Sequence, residues 1–219
     1  MAATDVLKPD HAAPRRHFIF TEEHEALRES IHSFVTRELA PHAEEWEETT
    51  FPDWVFRRMG ELGFLGLSMP EAYGGQGGDY FCNLVLAEEL SFSGSGGMAM
   101  GIEVHTDMAT PPILQFGTEE QKQRYLVPAI KGEKISCLGI TEPDAGSDVS
   151  GIRTRAVRDG DEWVINGAKM WTTMAHVADW LILLTRTDPD VPKHKGLTMF
   201  ILPMSTPGIS VEPVPTMAT

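Results

Sequence analysis

Hydrophobic residues recur at helical spacing through the first 134 positions and gather into short β-rich runs after that, so the chain divides near Lys134. Thr21 precedes Glu22 and Glu23, a capping residue followed by the acidic first turn that the positive end of a helix favours. Leu27, Ile31, Phe34 and Val35 fall at i, i+4, i+7 and i+8, one apolar stripe on a solvated helix, and Pro41 bends or ends it. A second helix is expected over 54–62, closed by Gly63. The stretch 69–78 is rich in turn residues and reads by default as a plain flexible turn. Further helices follow over 80–90 and about 98–116, the latter broken at Pro111 and Pro112. Gly117 stops that helix, and Thr118-Glu119-Glu120-Gln121 is a capping box for the next, whose buried side is Tyr125, Leu126, Ala129 and Ile130.

Beyond Lys134 the pattern predicts strands over 135–141, 152–157, 163–165, 180–185 and 197–202, with a strand-like stretch at 209–211. Asp159-Gly160-Asp161-Glu162 reads as a hairpin turn. The fold class is therefore α+β: an amino-terminal all-helical domain over 18–134, then an antiparallel β-barrel or sandwich over 135–219. A disordered tail is expected over 1–17. The sheet reads as incomplete, since its last strand would leave an open edge.

Composition narrows the function. A 219-residue chain that is 42% hydrophobic can bury a sizeable core. Its net charge of −14 argues against a nucleic-acid partner, which needs basic side chains to displace counterions. Cys82 and Cys137 form no CxxC, so neither a disulfide framework nor a zinc site can be read, and a reducing interior fits. No run approaches the roughly 20 apolar residues of a membrane span. Residues 1–19 lack a signal core and make a poor transit peptide. The expected location is thus bacterial cytoplasm, or the mitochondrial matrix for a eukaryotic source.

Three stretches carry candidate chemistry. Leu138 to Asp148 contains a strand end stopped by Pro143, then Gly146 and Ser147 in a turn whose free N–H groups could cradle an anion. An Asx or Ser turn holding a strand end is the plainer reading. Lys169-Met170-Trp171-Thr172-Thr173-Met174 places an indole beside two hydroxyls, which suits a flat polar ring; alone, it reads as a half-buried strand. The loop Tyr73 to Gly78 lacks the strand–GxGxxG–helix context of a dinucleotide fold.

Their order changes the picture. EAYGGQGG, FGTEEQKQRYL, GITEPDAGSD, GDEWVINGAKMWTTMA and DWLILLTRTD follow one another along the chain, and together they resemble the acyl-CoA dehydrogenase family over roughly residues 18–219. The likeness is to the family's helical amino-terminal domain and middle β-domain. It implies FAD as cofactor and an acyl-CoA substrate. Leu138, Ile140 and Thr141 should line the flavin, with Thr141 at its pyrimidine side. Ser147 should reach the FAD pyrophosphate or the bound CoA thioester. Trp171 should pack on the ring system, Thr173 should bond flavin N5, and Thr172 should contribute through its backbone.

The implied reaction is α,β-dehydrogenation to a trans-2-enoyl-CoA, with electrons leaving to an electron-transferring flavoprotein, in a homo-oligomer (dimer or tetramer). In this family the catalytic carboxylate lies in a carboxy-terminal helical domain absent from this sequence, so no catalytic base is named. Glu88, Glu89, Glu103 and Glu142 read as solvated helix faces or, for Glu142, a strand-end bond. The sequence thus resembles a fragment of such an enzyme. Alternatives are a naturally short, non-catalytic relative that binds flavin or acyl-CoA, or a subunit that pairs with another chain supplying the rest, or a same-fold acyl-CoA oxidase or flavin monooxygenase. Residues 91–117 contain no Lys or Arg, which favours an uncharged acyl chain over glutaryl-CoA. His105 and the two thiols receive no catalytic role.

Overall fold

A computed structural model describes residues 17–214. The tail expected over 1–17 lies, His17 apart, outside the described residues.

Thr21 opens α1 (Glu22–Phe34), its Oγ1 accepting from His24 N while His24 Nδ1 accepts from Thr21 N at 3.0 Å. The helix continues through a π-helical turn at Val35–Leu39 and a tight turn at Ala40–His42 that contains Pro41, then α2 (Ala43–Glu48) departs. After α3 (Trp54–Glu61), Gly63 takes the left-handed conformation expected of a helix stop. Two longer helical rods complete the layer. α4 (Tyr80–Leu90) packs against α1, and α5 (Gly96–Glu103) runs through a π-helical turn into α6 (Thr110–Phe116). Pro111 and Pro112 do not break that rod. They lie in the first turn of α6, where a missing N–H is tolerated, and the irregularity is displaced into the π turn at Val104–Ala109. The expected capping box then opens α7 (Glu119–Gln121), which continues into α8 (Val127–Ile130).

The loop before α4 is not a loose turn. Gly75, Gln76, Gly77 and Gly78 each donate a backbone N–H back to Pro70, Gly66, Met69 and Leu67, at 2.8–3.2 Å. Gly75 approaches so closely that a Cβ there would lie 2.1 Å from the Met69 carbonyl oxygen.

The sheet contains β1 (Ser136–Gly139), β2 (Arg155–Asp159), β3 (Glu162–Asn166), β4 (Trp180–Arg186) and β5 (Leu197–Pro203). The α+β class holds, but the sheet is mixed rather than purely antiparallel. β2–β3 and β4–β5 are antiparallel, whereas β1 and β2 both run parallel to β4. Apolar runs show that strands exist and leave their direction open; the helical turns and loops between β1 and β4 give the chain room for a parallel crossover. Among the described residues 209–214 form no strand; Ile209 N instead turns back onto the Thr206 carbonyl at 3.3 Å.

One core joins the layers. Ile31, Phe56, Leu86 and Ile102 of the helices share a buried cluster with Cys137, Leu181 and Leu183 of the sheet. His105 adds a polar link. It is fully buried, its Nδ1 accepts from Ser136 N at 3.0 Å, and its Nε2 donates to the Ala129 carbonyl at 3.0 Å. Burial holds its ring down to about 4, so it stays neutral and anchors the start of β1. It is a packed, backbone-bonded histidine.

Candidate functional site

β1 and β2 occupy the same edge of β4 in succession: Gly139 lies opposite Leu183, and Arg155 opposite Arg186. Residues 140–154 therefore leave the sheet and return to it as one excursion. Glu142 closes its base. Its backbone exchanges bonds with Ala145 at 2.9 and 3.1 Å, and its carboxylate accepts from Arg153 N at 2.6 Å and Thr154 N at 2.8 Å. Arg186 pins the returning limb through the Ser150 and Ile152 carbonyls. Asp148 caps a short turn at 149–151, the Asx-type arrangement expected there. Ser147 stands exposed on the outer part of this excursion.

The second segment docks on the first. Gly167 passes so close to Thr154 that a Cβ would lie 2.3 Å from its Oγ1. Lys169 Nζ donates to the Ile140 carbonyl at 2.9 Å and to Glu142 Oε1 at 2.8 Å. Met170 N donates to the Thr141 carbonyl at 2.8 Å. The segment is not the half-buried strand that its composition suggests. Trp171 (φ +59°) and Met174 (φ +69°) both take left-handed backbone conformations, and Thr173 N turns back onto the Trp171 carbonyl at 3.0 Å. Such conformations are strained for non-glycine residues by about 1–3 kcal/mol each. At Met174 burial of the side chain offsets the strain, but Trp171 remains 58% exposed.

Electrostatics reinforce the junction. Burial alone would raise the Glu142 carboxyl, yet the donors from Lys169, Thr154 and Arg153 outweigh it and bring the group down to about 2. Burial pulls the Lys169 ammonium downward while Glu142 opposes that. With carboxylate and ammonium 2.8 Å apart and their side chains 6% and 10% exposed, the pair is ionised.

The structure thus brings Thr141 and Ile140 together with Lys169–Trp171. Leu138 is half-buried against a smaller apolar cluster that contains Met69, Ile113, Leu126 and Ile182. Ser147 shares the excursion with Thr141, but no hydrogen bond ties it to Trp171–Thr173. The hydroxyls of Thr141, Ser147, Thr172 and Thr173 make no hydrogen bond within the described residues. An accessible indole, followed in the chain by the unpaired hydroxyls of Thr172 and Thr173, fits the demands of a flat, polar, partly anionic cofactor such as FAD: a face to cover and edges to bond.

The acidic candidates fall elsewhere. Glu89 is buried rather than solvated, bonded to Arg28 at 3.1 Å and His32 at 2.8 Å, while Glu88 pairs with Arg28 at 2.6 Å. Glu103 is half-buried beside Asp107, and burial first, then Asp107, pushes it up to about 8. His24, Asp79 and Cys82 lie close enough to suggest a metal set. However, His24 Nδ1 accepts from Thr21 N, which leaves the ring proton on Nε2, facing Asp79 at 2.9 Å. That trio is a hydrogen-bonded cap rather than a metal site.

Reading the sequence missed Glu142 as a clamp, its partner Lys169 and the turn at Met174. A glutamate at a strand end immediately before proline was the available signal for the first. Nothing in the sequence marked the others.

A helical layer packed on a mixed sheet, with this exposed indole at the junction of two loops, defines an α+β protein. Comparison with known proteins is specific. The family model for the acyl-CoA dehydrogenase N-terminal domain matches residues 21–133, and that for the middle domain matches residues 137–219. The chain belongs to the acyl-CoA dehydrogenase family. It is 40% identical over 199 residues to a short-chain specific acyl-CoA dehydrogenase of Clostridium acetobutylicum, covering 90% of this chain and 52% of that one. Among solved structures, an acyl-CoA dehydrogenase from Geobacillus kaustophilus is 37% identical with a TM-score of 0.83, covering 88% of this chain and 51% of that one. Glutaryl-CoA dehydrogenase from Mycobacterium smegmatis is 34% identical with a TM-score of 0.82, covering 90% and 50%. The chain spans about half the length of the relatives it matches. No helix among the described residues is long and apolar enough to cross a membrane.

Proposed function

We infer that this chain supplies the FAD- and acyl-CoA-binding face of an enzyme that dehydrogenates an acyl-CoA thioester to the trans-2-enoyl-CoA and passes electrons to an electron-transferring flavoprotein. The observation that carries this reading is the exposed, left-handed Trp171, tied through Met170 N and the Thr141 carbonyl to the 140–154 excursion. Bound FAD would supply the hydride acceptor. Trp171 would cover part of it and exclude water, which would strengthen the electrostatic interactions there. Thr173 and Thr141 would offer hydroxyl donors to the flavin, where donors stabilise developing negative charge. Leu138 and Ile140 give the lining its apolar part. Ser147, exposed on the excursion, is suited to a phosphate of FAD or to the CoA thioester, and Thr172 serves through its backbone.

No catalytic base is assigned within this chain. For the dehydrogenase reading the base would come from further protein, either more of the same polypeptide or a partner subunit in a homo-oligomer. The half-length match to the relatives supports that division and equally fits a short binding relative. Residues 91–117 carry Glu103 and Asp107 and no cation, which supports an uncharged acyl chain.

The test is the visible spectrum of the purified chain, followed by anaerobic titration with a panel of acyl-CoAs. Flavin absorbance that bleaches with straight-chain acyl-CoAs supports the dehydrogenase with its base in reach. Bound flavin that never bleaches supports the binding role alone. Hydrogen peroxide release in air marks an oxidase instead. Faster bleaching by glutaryl-CoA sinks the uncharged-chain assignment, and a chain that holds no flavin overturns the reading for this polypeptide.

A further inference from the structure

We propose that the buried Glu142–Lys169 ion pair is the positioning device of the flavin face, holding the 140–154 excursion and the 169–174 turn in one register. The inference rests on the flavin-binding reading above. Glu142 binds both limbs of its own excursion, through Arg153 N, Thr154 N and the Ala145 backbone. Lys169 then crosses to the other segment, bonding Glu142 and the Ile140 carbonyl with one ammonium group. Ile140 and Thr141 on one side, Trp171 and Thr173 on the other, are thereby fixed by a single junction rather than by two independent loops. The Met170–Thr141 backbone bond, the close Gly167–Thr154 approach and the β2–β3 ladder hold the same two segments, and the ion pair is the one side-chain junction that bonds Ile140, Arg153 and Thr154 together with Lys169.

The charges also matter. The pair is neutral as a unit, so the flavin face feels little net field from it. Removing one partner leaves an uncompensated buried charge beside the segments that would line the flavin. Glu142→Gln leaves a cation, which stabilises the negative charge of reduced flavin; Lys169→Met leaves an anion, which opposes it.

Two measurements decide. The first needs no cofactor: amide hydrogen exchange at Arg153, Thr154 and Met170 in the 219-residue chain and its E142Q variant. Faster exchange at all three is expected. If only Arg153 and Thr154 change, Glu142 serves its own loop and the proposal fails. The second uses the FAD-loaded chain at pH 6, where E142Q should raise the flavin midpoint potential and K169M should lower it, each with affinity reduced about tenfold or more. Shifts in the same direction, or none, would indicate a structural role only and overturn the proposal. Should the wild-type chain bind no FAD, the functional reading falls, while the exchange experiment still decides the clamp.

Discussion

Met174 seats its thioether against Gly101 of α5: a Cβ built on that glycine would lie 2.8 Å from Met174 Sδ and 2.9 Å from Phe51 Cζ. The helical layer thereby sets the position of the turn that carries Trp171 and Thr173. The methionine is buried while its backbone is left-handed, so packing holds a conformation that local preference disfavours.

Gly101→Ala should therefore destabilise the chain even though alanine is the better helix former by about 1 kcal/mol. Overpacking of the Met174–Phe51 contact should leave a net loss of about 1–2 kcal/mol, read from the urea midpoint. Gly167→Ala should cost more, because its Cβ would meet the Thr154 backbone at 2.6 Å rather than a flexible side-chain end. A smaller loss at Gly167 than at Gly101 would show that the two segments are not in close register.

The pH dependence of stability should have two opposed parts. His105 is held near 4 in the fold against 6.5 as its ordinary value, so the unfolded chain binds more protons between those limits. That contribution to stability falls as pH drops through this window, by up to about 3 kcal/mol. Glu103, raised to about 8 from 4.5, behaves in the opposite sense: the folded chain holds the extra proton, so stability falls as pH rises from 4.5 to 8. Urea unfolding should show wild type losing stability between pH 6.5 and 8, with Glu103→Gln removing that loss and exposing a steeper acid-side decline from His105. An unchanged profile in Glu103→Gln would show that the carboxyl is ionised in the fold at neutral pH.

The thiols should be poor nucleophiles in order of burial. Burial pushes Cys137 up to about 12, and burial, then Asp79, raises Cys82. A thiol reagent at neutral pH should modify Cys82 slowly and Cys137 only on unfolding. Rapid reaction at Cys137 would mean that β1 opens readily, against the anchoring role of His105.

Much of the fold was legible because the periodicity was strong. The Leu27–Val35 stripe, the Thr118 capping box and the continuous runs at 180–185 and 197–202 each state one element without reference to the rest of the chain. Strand direction was not legible, because the partner of β1 lies far along the chain and apolar runs carry no polarity. The site was half legible. Thr141, Ser147, Trp171 and Thr173 came from motif order, and the structure ties Thr141 to the Met170–Trp171 turn. Its shape could not be read, since glycine or asparagine normally signals a left-handed turn and here tryptophan and methionine occupy those positions. Glu142 resembled an ordinary strand-end acid until Lys169 was seen beside it.

The most direct measurement is equilibrium binding of FAD to the purified chain and to a Thr141→Val/Thr173→Val variant, followed by flavin fluorescence. Saturable binding, weakened about tenfold or more when the two hydroxyls are removed, is the expected result. Absence of binding, or binding indifferent to both hydroxyls, would contradict the assignment of this face to the flavin.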